Sequence, residues 1–228
     1  MLSPVANAKR YAIYFMPLET SELWAFGSQV LGYDAASGAE IPNGEFADLT
    51  SEPRRYGFHA TLKAPFHLDE ASSEDELCDF ARQFAATRRA FEEPALILSI
   101  LGHCIALTNA RPSASLSQLA DDCVRVFDRF RKPLSAADQA QRLLHRLSPR
   151  QIANLQRWGY PFVMEDFIFH MTLSSSLEAH KLQGMHRALQ ALYAPLAKPV
   201  TFDAIAIFVQ DAPTTRFRVL EKFRFGAS

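Results

Sequence analysis

One short pattern occurs twice in this chain, as His59-Ala60-Thr61-Leu62 and as His170-Met171-Thr172-Leu173. Each copy lies in an alternating, β-prone run, residues 56–63 and 167–174. Side chains at i and i+2 of a strand share a face, and their neighbours point the other way. His59 and Thr61 therefore share a polar face, backed by Phe58, Ala60 and Leu62. His170 and Thr172 do the same, backed by Phe169, Met171 and Leu173. The repeat demands two half-buried strands. A fold that turns their polar faces together gathers two imidazoles and two hydroxyls in one cleft. A single match would be weak in a chain with seven histidines; the repeated strand context gives the pair its weight.

Composition narrows the partners. The chain has 228 residues, 48% of them hydrophobic, which is enough for one large domain or two closely packed lobes. Its formal net charge is -1, so it lacks the global basic field that drives non-specific nucleic-acid binding. Cys78, Cys104 and Cys123 have no CxxC spacing and read as reduced, buried small hydrophobes of a cytoplasmic protein. The N-terminus lacks a charged segment followed by an apolar one, so no signal peptide is expected. The longest apolar stretch, Ala95 to Leu107, is interrupted by Ser99, Gly102 and His103; it reads as a hairpin, not a membrane span. Long nucleic acid and a membrane are therefore disfavoured as partners, and the oligomeric state is open.

The elements follow an order that repeats. A strand at 11–15 leads to a helix capped by Thr20 or Ser21 and running to about Leu31. Repeated Gly and Pro make 32–53 a long loop. The first His/Thr strand follows. Ser73 and Glu76 form a capping-box pattern that opens a helix to about Arg89. Strands at 95–101 and 103–108 flank Gly102, and a helix runs from Ser113 to about Phe130. The second His/Thr strand spans 166–174, then come a helix at 177–193 and strands at 200–209 and 215–225. The expected fold is α+β: a single bilobal domain over 1–228, with two pseudo-symmetric lobes of antiparallel sheet, at about 9–101 and 103–225. Outer helices surround a central cleft. Residues 131–160 break the symmetry as a helical insertion, with helices near 136–147 and 149–158. It reads as a solvated hairpin, with a lid over the site as the alternative.

The doubled pattern resembles the two-histidine (2H) phosphoesterases. The stretches Arg55–Phe66, Phe127–Arg131, Leu147–Gln151, Arg157–Pro161 and Phe169–Leu173 are similar to the branch known as phosphonate-metabolism proteins. The resemblance implies two lobes around a cleft, one motif from each, and a metal-independent phosphodiesterase without a cofactor. The branch implies phosphonate catabolism and a phosphorylated ribose cyclic phosphate as substrate. Opening of RNA 2′,3′-cyclic phosphates is the alternative, as is a nucleotide-binding module without turnover.

The residues support phosphodiester chemistry independently. One imidazole can activate water and another can protonate the leaving oxygen near neutral pH. His59 and His170 are the candidate pair, and pseudo-symmetry leaves open which is acid and which is base. Thr61 and Thr172 are candidate donors to the non-bridging phosphate oxygens. No carboxylate lies at a ligand-like offset on the His/Thr face, so no metal is expected; Glu165 and Asp166 read as loop-ending or orienting residues. Lys63 continues the His59/Thr61 face at i+4 and, with Arg54 or Arg55, is a candidate for a further phosphate. Tyr56 and Tyr14 are candidates for stacking or phosphate contact. Arg216 and Arg218 share a face of the last strand; Arg218 could reach the cleft, though a solvated face is preferred. His67, His103, His145, His180 and His186 lack the hydroxyl at i+2 and read as structural or surface residues.

Overall fold

The two motifs sit on the edges of two different sheets. In the computed structural model, which describes residues 9–143 and 146–226, the strands are β1 (Arg10–Phe15), β2 (Ala60–Phe66), β3 (Phe91–Glu93), β4 (Ile97–Leu101), β5 (Cys104–Thr108), β6 (His170–Thr172), β7 (Val200–Phe202), β8 (Ala204–Gln210) and β9 (Arg218–Arg224). They form a four-stranded sheet in the order β2-β1-β8-β9, a three-stranded sheet β4-β5-β6 and a pair β3-β7. All the pairings are antiparallel. The motif strands β2 and β6 pack against each other without sharing a ladder. Two edges that meet this way leave room between them for a cleft.

The architecture is α+β, but the lobes are not sequential halves. The larger sheet takes strands from both ends of the chain, and the smaller sheet lies entirely between them. A boundary near 101–103 would cut the β4–β5 hairpin, in which Leu101 faces Cys104 across Gly102. The long strand expected over 200–209 also divides. β7 pairs with β3, and β8 enters the larger sheet between β1 and β9. One apolar cluster backs both motifs: Phe58, Ala60 and Leu62 from one, Phe169, Met171 and Leu173 from the other. All six are at least 97% buried.

Local chemistry sets the helices: α1 (Glu22–Leu31), α2 (Ser51–Arg54), α3 (Glu74–Ala86), α4 (Ala114–Phe127), α5 (Ala136–Arg142), α6 (Pro149–Trp158) and α7 (Ala179–Tyr193). Ser21 caps α1 by accepting from the Trp24 amide. Reciprocal capping boxes, Ser73 with Glu76 and Ser148 with Gln151, open α3 and α6. The loop expected over 32–53 holds a 3₁₀ turn at Gly44–Leu49 and leads into α2. Arg54 organises it, donating to the carbonyls of Leu31 and Ala47, to Asn43 and to Thr50. Arg54 is thus committed to backbone support, and the exposed Arg55 donates to the Pro213 carbonyl. His145, residues 1–8, to which the signal-peptide expectation applies, and part of the 136–147 helix expectation lie outside the described residues. Among the described residues, no helix is long and apolar enough to cross a membrane.

Candidate active site

Both His/Thr pairs line one open cavity of about 560 Å³. Each imidazole is held the same way. His59 Nδ1 lies 2.9 Å from the Gly57 carbonyl, and His170 Nδ1 lies 2.8 Å from the Ile168 carbonyl. A carbonyl can only accept, so in the neutral ring Nδ1 carries the hydrogen and Nε2 keeps its lone pair. The Thr61 hydroxyl then donates to His59 Nε2 across 3.2 Å. Gly57 makes the first of these bonds attainable. Its φ is +73°, and a Cβ there would stand 2.5 Å from the Cβ of Ala35.

Surroundings distinguish the two histidines. Tyr14, itself buried, stacks on His59 with ring centroids 3.7 Å apart and an interplanar angle of 18°. Tyr56 and Phe208 tilt against the same imidazole. Burial, aided by repulsion from His170 and opposed by the Gly57 carbonyl, pushes the His59 pKa down to about 4. His59 is therefore a neutral imidazole at physiological pH. Burial likewise holds the Tyr14 phenol well above its ordinary range, so it stays protonated. Tyr14 and Tyr56 both line the cavity.

Lys63 and Arg218 do not belong to the site. The register pairs Tyr14 with Thr61 but Ile13 with Lys63, so one extra residue bulges from β2 at this point. The bulge reverses the alternation: Ala64, not Lys63, follows Thr61 on the cavity wall. Lys63 is 3% exposed and donates to Asp128 across 2.9 Å and to the Val124 carbonyl. Burial lowers its pKa against the pull of Asp128. Burial raises the Asp128 carboxyl, but Arg131 and Lys63 outweigh that and hold it low. Arg218 is exposed and paired with Asp211, and Arg216 is paired with Glu40 and lies over the Tyr33 ring. Asp166 orients its neighbours, accepting from Arg150, Gln151 and Asn154.

The cavity also gathers residues that motif reading missed. Arg10 lines it, with Nε donating to the buried Gln210 across 2.7 Å and the guanidinium 5.4 Å from the Phe217 ring centroid. The signal was available: Arg10 and Tyr14 are four residues apart on β1 and share a face. Arg146, Leu147 and Tyr160 add a wall from the insertion at 131–160, which thus contributes to the cavity as well as covering the fold. Its lining includes two arginines and two histidines but no carboxylate. Among the described residues, Arg10 and Arg146 enter no ion pair, and no group of three or more His, Cys, Asp or Glu gathers as a metal site. Of the thiols, Cys123 is buried, whereas Cys78 and Cys104 are only partly so.

Comparison with known proteins gives a family and two long relatives. The profile of a family described as "Protein of unknown function (DUF1045)" matches residues 61–218. A protein of Janthinobacterium sp. (strain Marseille) named ribose 1,5-bisphosphate phosphokinase PhnN is 36% identical over 230 residues, covering 95% of this chain and 51% of the relative. A protein of the same name from Laribacter hongkongensis (strain HLHK9) is 32% identical over 218 residues, covering 92% and 50%. The chain thus spans about half the length of the curated relatives it matches. Among solved structures, a phosphoesterase aligns over 96% of this chain and 99% of its own at 14% identity and a TM-score of 0.43. E. coli LigT in its apo form aligns over 96% and 98% at 13% and 0.42. Kluyveromyces marxianus Usb1 aligns over 95% and 100% at 9% and 0.40. At those scores the site stands on this chain's own geometry.

Proposed function

The chain belongs to the DUF1045 family, and on that premise we propose that it is a metal-independent phosphodiesterase that opens a cyclic or small phosphodiester by two-histidine acid–base catalysis. The single observation that carries this reading is the cavity wall shared by His59, Thr61, His170 and Thr172, with each Nδ1 tied to a carbonyl so that each Nε2 is the nitrogen left for proton transfer. His59, kept neutral by burial, is the better general base. In the proposed reaction its Nε2 takes a proton from water, and the water oxygen bonds to phosphorus. The bond from phosphorus to the leaving oxygen breaks, and His170, which enters the reaction as the imidazolium, gives that oxygen its Nε2 proton and ends as the neutral ring. The products are a phosphomonoester and a hydroxyl group. Thr61 and Thr172 donate to the non-bridging oxygens as charge builds there.

Arg10 and Arg146 support an anionic substrate with charge beyond the diester itself. The relatives of twice the length carry the name of a ribose 1,5-bisphosphate phosphokinase, which makes a phosphorylated ribose cyclic phosphate the first compound to test. The decisive experiment is a phosphorus NMR assay in EDTA. It compares wild type with His59→Ala and His170→Ala on 5-phosphoribosyl 1,2-cyclic phosphate, 2′,3′-cyclic nucleotides and a short RNA with a cyclic end. Each substitution is expected to lower kcat by about 10²–10⁴ while leaving the fold intact. Near-normal turnover in either variant would sink the assignment. Loss in EDTA that a divalent metal restores would replace it with metal chemistry. Turnover of the RNA alone would move the protein to RNA end processing.

A further inference from the structure

A second cavity, of about 710 Å³, adjoins the first, and the two share His170 and Thr172 in their lining. Thr61, His170 and Thr172 line both cavities, whereas His59 lines only the first. The two spaces differ in chemistry. The first holds Arg10 and Arg146; the second is walled largely by Leu101, Ala106, Ala120, Val124, Phe167 and Ile168. Its one carboxylate, Asp166, is bound to Arg150 through both oxygens and is not free for a ligand.

The lip of this chamber gathers features that folding alone leaves without a role. Phe162 and Ile168 are 46% and 61% exposed, among the large apolar side chains left open to water. Between them Met164 has a φ of +55°, the sole non-glycine residue with positive φ among those described. An unbranched side chain held there is strained and persists only where its surroundings enforce it. The enforcement is on the page: the Asn154 amide donates to the carbonyls of Pro161 and Val163 and to Asp166. Helix α6 thus braces a strained, apolar lip over an apolar chamber that begins at the proposed acid.

We infer that this chamber is a leaving-group subsite, and that the ester oxygen protonated by His170 belongs to an alcohol with an apolar or aromatic body. The inference rests on the phosphodiesterase reading, though not on a ribose substrate. In-line displacement sets the attacking water and the departing oxygen on opposite sides of phosphorus. His59 faces only the cationic cavity, and His170 stands at the mouth of the apolar one, so the water enters from the first and the alcohol departs into the second. The cleft therefore reads an asymmetric diester, anionic toward Arg10 and apolar beyond His170. A bare sugar cyclic phosphate fills only the first half.

Calorimetric binding of phenyl phosphate and methyl phosphate tests this without requiring turnover. Wild type is expected to bind the phenyl compound at least about tenfold more tightly, as burial of a ring predicts. Leu101→Trp, which fills the chamber, and Met164→Ala, a lip position that lines the second cavity and not the first, are expected to bring that ratio below about threefold with methyl phosphate affinity unchanged. Thr172→Val is expected to weaken both ligands. Equal affinities in wild type, or a ratio that survives both chamber variants, would overturn the subsite and leave the proposed function standing. Failure of both ligands to bind, with Thr172→Val indistinguishable from wild type, would overturn the phosphodiesterase reading and the subsite with it.

Discussion

At the scale of single residues, His59 has two measurable consequences. Its folded pKa of about 4 lies below the ordinary 6.5. Between those values the unfolded chain binds a proton that the folded chain refuses, so stability falls as pH drops through that window and is unaffected above it. The expected loss is on the order of 2–3 kcal/mol once screening at the cleft mouth is allowed for. Denaturant titrations at a series of pH values check this, with His59→Gln expected to flatten the slope. In the enzyme, the acidic limb of the kcat/KM profile is expected to bend near pH 4, since only a neutral His59 can accept a proton. An NMR titration of the His59 ring with a midpoint near 6.5 would remove both expectations. Gly57 is the second lever. Gly57→Ala meets both the positive φ and the Ala35 methyl, so it is expected to cost about 2 kcal/mol or more by thermal melting. Activity should fall further than stability accounts for, because the carbonyl that orients His59 moves with it.

At the scale of elements, what was legible in the sequence was what local chemistry decides. The alternation at both motifs, the caps at Ser21, Ser73 and Ser148 and the Gly102 hairpin are written in adjacent residues, and the structure carries each. The bulge in β2 was not legible, because nothing in Leu62-Lys63-Ala64 marks an extra residue; it is set by the register against β1. That one residue removed Lys63 from the site and gave it to Asp128. Nor does the sequence mark the break at Asp203, where the chain leaves the β3 pair for the larger sheet. Arg10 was missed because it lies outside either motif, although its spacing from Tyr14 places it on the same face. The bulge also changes the outcome expected for Lys63. Lys63→Met should lower stability by about 1–3 kcal/mol, less than loss of an isolated buried pair because Arg131 still holds Asp128. It should change kcat/KM by less than about threefold, equally for substrates with and without an additional phosphate. A selective rise in KM for the more phosphorylated substrate would show that Lys63 reaches it after all.

At the scale of the whole molecule, the interleaving of the sheets ties the two histidines to opposite parts of the chain. β2 is held by β1, which in turn rests on β8 near the C-terminus, while β6 hangs from the central β4–β5 hairpin. The spacing of the two motifs thus depends on how two sheets pack, not on any one loop. The charge is equally divided. The chain as a whole is nearly neutral, at -1, yet among the described residues the site cavity holds no carboxylate and two arginines that enter no ion pair. A field of this kind is local: it draws an anionic substrate over about one Debye length, roughly 8–10 Å at moderate salt, and fades as salt rises. For any dianionic substrate, kcat/KM is therefore expected to fall several-fold between about 0.05 and about 0.5 M KCl, with kcat less affected. Arg10→Gln should lower kcat/KM at low salt by about tenfold and flatten the dependence, because Gln keeps a donor near Gln210 but removes the charge. A salt dependence equally steep in Arg10→Gln and wild type would place the steering charge elsewhere on the surface, and Arg146→Gln would then be the variant to compare.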